Sequence, residues 1–199
     1  MQEGMDERHE RLLEAVRLGG PGELSDACAK LVRLWKDAPV EPLLTLKEQF
    51  QKVGLDRREA SLDEALVSLA ERRLEPFIAV VSELRHPYWA QAVEVVSLTR
   101  DARILDVLLS LIPECPRRSL PMLVRGIGCF RERGAVEALG RFLSEKDDDV
   151  LFEAVSALSE IGDSTAQAYL KSELATRQSD GELAAAQMIE EALRPRGEG

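Results

Sequence analysis

The chain has 199 residues, 45% hydrophobic and 5% aromatic, and its 36 acidic against 26 basic side chains leave a formal charge of −10. This length suffices for one ordinary domain or a short repeat array with a buried core. The charge argues against a phosphate backbone or an anionic membrane as the general partner, so nucleic acid is not the expected ligand.

A first helix is predicted over residues 6–18, with Leu12, Leu13 and Val16 on one face and Gly19-Gly20-Pro21-Gly22 ending it. A second, over residues 23–36, places Leu24, Ala27, Cys28, Leu31, Val32 and Trp35 on one stripe. After Pro39, a third helix over residues 42–53 carries Leu43, Leu46, Phe50 and Val53 and stops at Gly54. A charged connector, 55–60, precedes a capping box of Ser61 and Glu64, which opens a helix burying Leu62, Ala65, Leu66 and Leu69. Pro76 starts the next helix, which ends near His86-Pro87.

From here the spacing carries the reading. Shifting the chain by 31 residues superimposes Val93, Val124 and Val155, then Val96, Ile127 and Leu158, then Leu108, Leu139 and Leu170, then Ile112, Leu143 and Leu174. Leu62, Ala65, Phe77 and Val81 join these columns upstream, and Ala186 and Ile189 downstream. Each unit reads as two helices of about a dozen residues joined by a tight turn, since neither could bury its stripe alone. Ile161-Gly162-Asp163-Ser164 supplies a glycine stop followed by an N-cap, and Ser179 with Glu182 a second capping box. The expected fold is all-α, a right-handed α-solenoid of about five stacked antiparallel hairpins. Residues 1–60 are read as a divergent N-terminal helical cap, 61–193 as the array and 194–199 as a disordered tail.

The run from Val150 to Asp163, with its core Ala154-Val155-Ser156-Ala157-Leu158-Ser159-Glu160-Ile161-Gly162-Asp163, resembles a short HEAT repeat of the phycobilisome-lyase type. Ala166, Ala168, Leu170 and Leu174 continue the likeness, and the stretch from Gly134 to Leu143 matches the other half of such a unit. The resemblance implies HEAT-like architecture over about 61–193 and, for most members, protein binding rather than catalysis. Hydroxylases built on this repeat hold iron with paired His-Glu dipeptides, whereas this sequence has the single pair His9-Glu10, outside the array. His86 reads as a hinge or surface residue. No catalytic residue, metal or cofactor is expected.

If the Val93, Val124 and Val155 columns face the core, the opposite side of those helices presents Gln91, Glu94, Val95 and Leu98, then Met122, Arg125 and Cys129, then Phe152, Ser156 and Glu160. With Tyr88 these form the candidate partner-binding groove, its apolar Val95, Leu98, Met122 and Phe152 exposed among charges. The competing reading is that a short, curled array buries them against the N-terminal helices. Trp89, four residues from Val93, is assigned inward.

Between residues 117 and 141 six arginines face two acids, and residues 145–163 hold seven acids and one lysine. Such adjacent patches invite a charged partner or another copy of the chain, or form solvated faces in mutual register. Asp147-Asp148-Asp149 reads as a helix corner with Asp148 or Asp149 as N-cap rather than a cation loop. Cys28, Cys115 and Cys129 are odd in number without metal-ligand spacing, so reduced core thiols are expected. The charged start and the lack of ~18 uninterrupted apolar residues predict a cytoplasmic protein. The excess of Arg over Lys suggests a high-GC bacterial genome. The most direct functional expectation is a non-catalytic scaffold or adaptor for another protein; the alternatives are an enzyme accessory of the chromophore-lyase kind and a nucleic-acid-binding repeat.

Overall fold

A computed structural model describes residues 7–35 and 38–194. The predicted helix start at residue 6, the second helix end at residue 36 and nearly all of the tail from 194 lie outside these. Twelve α-helices run in order among the described residues: α1 (Glu7–Leu18), α2 (Pro21–Leu34), α3 (Glu41–Val53), α4 (Asp56–Arg72), α5 (Leu74–Ser82), α6 (Trp89–Thr99), α7 (Ala102–Leu111), α8 (Leu120–Gly128), α9 (Arg133–Phe142), α10 (Asp148–Ile161), α11 (Ser164–Ser179) and α12 (Leu183–Ala192). Two 3-10 turns separate α7 from α8. The fold is all-α, stacked helical hairpins of the HEAT-like α-solenoid class.

The chain divides into two compact units, Met1–Ile104 and Leu105–Gly199, the division falling inside α7. In the first, α2 packs on α4 and α4 on α6, while α5 packs on α6 and α3 lies against both α4 and α6. In the second, α8 packs on α10 and α10 on α12, with α9 and α11 completing the hairpins.

The repeat register accounts for this stacking. Leu62, Val93, Val124, Val155 and Ala186 are all buried, as are Ala65, Val96, Ile127, Leu158 and Ile189, and Phe77, Leu108, Leu139 and Leu170. The fourth column is less uniform: Val81 and Leu143 are buried, but Ile112 and Leu174 are only partly so. Ile112 begins a 3-10 turn where the register calls for another helical turn, because Pro113 follows at once. Leu31 stands one step ahead of Leu62 and is also fully buried, so the pattern reaches into α2.

Helix ends differ from the sequence reading: α2 already starts at Pro21, α5 runs from Leu74 only to Ser82, and three expected caps or starts move. α4 begins at Asp56, so the expected connector is its first turn, and Ser61 donates back to the Arg57 carbonyl at 3.1 Å instead of capping. Asp147, one residue earlier than expected, caps α10 by accepting from the Asp149 and Val150 N–H groups. Ser179 closes α11 and does not cap α12, because Gly181 turns the chain at φ 76° and α12 starts only at Leu183. The stop at Gly162 is as read: it adopts φ 65°, natural for glycine, and Asp163 accepts from Ala166 N–H at 2.7 Å.

Three arginines tie elements together through main-chain carbonyls. Arg58 donates to Val16 in the last turn of α1 and to Gly19 after it, and Arg73 to Trp35 after α2. Buried Arg177 donates to Leu143 and Glu145 after α9 and pairs with Glu173 and Glu182. Unfilled carbonyls at a helix C-terminus favour a cation, which explains the recurrence.

Candidate partner-binding faces

Tyr88, Gln91, Glu94, Val95 and Leu98 belong to the first unit; Met122, Arg125, Cys129, Phe152, Ser156 and Glu160 belong to the second. The two sets meet different surroundings.

In the first unit, Val95 is only 1% exposed, which corrects its place on an exposed groove. The register gives the reason. Val95 aligns at the repeat interval with Gly126 and Ala157, and all three are buried. The same helix spacing brings Ala157 so close to α8 that a Cβ on Gly128 would stand 2.6 Å from the Cβ of Ala157. Gln91 and Glu94 are half-buried and turned toward α3 rather than open to a partner. Gln51 donates to Glu94 Oε2 at 3.0 Å, and Gln91 donates to Gln51 at 3.5 Å. Leu98 remains 55% exposed. Half-buried Tyr88 precedes α6, its N–H donating to His86 Nδ1 at 3.3 Å, while Trp89 is buried as expected and donates to the Val81 carbonyl.

The centre of the α3 contact is Lys47, 2% exposed, which no sequence signal singled out. Its ammonium lies 2.7 Å from Asp63, 3.1 Å from Glu94 and 3.5 Å from Glu59. Desolvation pulls the Lys47 pKa down, but the hydrogen bonds and charges of Asp63 and Glu94 more than offset it and hold the pKa above its ordinary value. For Asp63 burial dominates, and its carboxyl is pushed up despite Lys47. The lysine fills the place where three carboxylates converge, so the cluster is a cation-filled joint. A lysine at a helical core position looks in sequence like a surface residue, and only the carboxylates from α4 and α6 reveal otherwise.

In the second unit the corresponding face is open. Phe152 is 54% exposed, Met122, Cys129 and Ser156 are partly exposed, and Arg125 and Glu160 are exposed. Arg125 on α8 reaches Glu153 on α10, its Nε 3.1 Å from both carboxylate oxygens and its terminal nitrogen also bonded. This pair joins the basic and acidic stretches within one unit, and Arg133 is likewise paired with Glu137. Leu183, 75% exposed on α12, stands one repeat step beyond Phe152.

The other sequence candidates take structural positions. The His9 ring stacks edge-on to Trp35 at 4.7 Å, with Nε2 3.4 Å from the Leu34 carbonyl. Burial pushes the Cys115 thiol up to about 11 and raises that of Cys28. Among the described residues no group of three or more His, Cys, Asp or Glu side chains is placed to hold a metal ion, and no helix is long and apolar enough to cross a membrane.

Residues 105–190 match the family described as HEAT repeats. No curated protein matches the chain. Among solved structures, a designed armadillo repeat protein in complex with the peptide (KR)4 is 16% identical, aligned over 92% of this chain and 98% of that one with a TM-score of 0.50. An engineered protein 15% identical aligns over 94% of this chain and 98% of its own, at a TM-score of 0.39. The chain is thus similar to HEAT repeats in sequence across most of its second unit, and to an armadillo-type helical repeat in fold.

Proposed function

We propose that this chain is a non-catalytic scaffold or adaptor that binds a partner protein through the α8–α10 face, within a bacterial cytoplasm. The observation that carries the reading is Phe152, a large aromatic left in solvent beside the Arg125–Glu153 pair. An apolar anchor rimmed by charge is the composition of a protein interface centre, and a helical repeat holds such anchors rigidly. The fold supports it, since helical repeats commonly present binding surfaces, and the designed armadillo neighbour was solved with a bound peptide. Leu183 extends the surface toward α12, and Leu98 offers a smaller anchor in the first unit. The motif through Asp163 favours the short-HEAT subclass of the phycobilisome-lyase type.

The test is affinity capture from the native cell at moderate salt, comparing the wild-type chain with the double variant Phe152→Ala, Arg125→Glu. A stoichiometric protein retained by the first and lost by the second, with unchanged helical content by circular dichroism, is the expected result. Bound pigment, metal or nucleic acid in place of a protein overturns the reading.

A further inference from the structure

The first unit contains an open cleft of 560 Å³ between α1 and α3, which shares only Tyr88 with the candidate partner-binding residues. Leu13 and Leu18 of α1, Pro42 and Leu46 of α3, and Tyr88 give it a mainly apolar lining, and Leu18 is 68% exposed at its edge. Three carboxylates, Glu10, Glu14 and Glu41, stand around these side chains against one guanidinium, Arg17. Oε2 of Glu41 is cut off from solvent without a hydrogen-bond partner. A carboxylate oxygen buried without a donor is unfavourable, and turning the carboxylate outward to meet a cation in the cleft relieves the deficit.

We propose that this cleft docks a basic, amphipathic segment of a partner protein, in which a lysine or arginine lies within one helical turn of large apolar side chains. The apolar side chains fill the space between Leu13 and Leu46, the cation reaches Glu41, and Glu10 and Glu14 add attraction at longer range. The volume lies within the range of about 300–1,000 Å³ that holds a bound group rather than a single water. Charge selects the class: an anionic lipid surface or a nucleic acid meets a net negative wall on a chain of charge −10. The site is independent of the α8–α10 face, so either can fail without the other.

The experiment titrates the full chain into a fluorescein-labelled helical peptide with leucine and lysine at amphipathic spacing, read by fluorescence anisotropy. Two controls replace every lysine by glutamate or every leucine by alanine. The leucine–lysine peptide is expected to bind and both controls to fail. Glu41→Gln, which keeps the shape and removes the charge, should weaken binding about tenfold, with hydrogen exchange slowed by peptide in α1 and α3. Unchanged affinity in Glu41→Gln, equal binding of the alanine control, or protection confined to α10 each overturns the proposal. So does displacement of the peptide by submicellar dodecyltrimethylammonium at equal affinity, which would mark a small-molecule pocket. A dimer in sedimentation that Glu41→Gln dissolves would assign the cleft to a second copy and overturn it likewise.

Discussion

The face of α6 that carries Gln91 and Glu94 and the face of α10 that carries Ser156 occupy the same place in the repeat, yet the first is joined to α3 while the second pairs with a neighbouring first helix and leaves Ser156 partly exposed. On α6, α3 lies across it and brings Lys47 and Gln51 to Glu94. On α10, the neighbouring positions hold Phe152 in solvent and Glu153 paired with Arg125 of the adjacent helix. The repeat therefore specifies how hairpins stack, while the fate of their other face depends on a segment outside the strict pattern. A surface position in one copy is a structural joint in another.

This comparison breaks most sharply at Lys47. Lys47→Ala leaves three converging carboxylates without their cation, and the expected cost is about 3 kcal/mol, read from urea unfolding. Lys47→Met combined with Glu94→Gln should cost less, since it removes charge from both sides. The pH dependence has a definite sign. Because the folded pKa of Lys47 lies above its ordinary 10.5, its stabilisation is complete below that value and is lost as pH climbs through the folded value. Wild-type protein should therefore lose more stability than Lys47→Met in alkaline melts, and parallel loss in the two would refute the joint.

A finer contrast lies between Val95 and Phe152, which the sequence alone placed on one groove. Val95→Ala should cost about 2 kcal/mol because it empties a packed column. Phe152→Ala should change stability by no more than about 0.5 kcal/mol, its side chain being largely in water already. Equal costs by thermal unfolding would mean that the two faces are not different after all.

The hairpin stack was readable because its cause is periodic: Val93, Val124 and Val155 recur at one interval and all are buried. Val95 was misplaced although the same interval, applied to it, lands on Gly126 and Ala157, small residues that mark close helix approach. The α3 contact was not readable, because its energetic centre is a charged side chain and its partners lie 12, 16 and 47 residues away at Glu59, Asp63 and Glu94. Nor was the α1–α3 cleft, since Glu41 looks like any first-turn acid until its oxygen is found enclosed. The exposure of Phe152 was legible because it falls off the buried stripe of Val155 and Leu158.

Arg177 has a consequence for how the chain comes apart. Linear arrays tend to unravel from their ends, where a terminal hairpin has a neighbour on one side only. Here one guanidinium is shared by the end of α9, by α11 and by the residue before α12. Peeling away the last two helices means stripping a buried charge of its partners, so the end of the array is clasped to its interior and loses structure together with it. Amides of α11, α12 and α9 should exchange in a single cooperative opening, and Arg177→Met should let α12 exchange first.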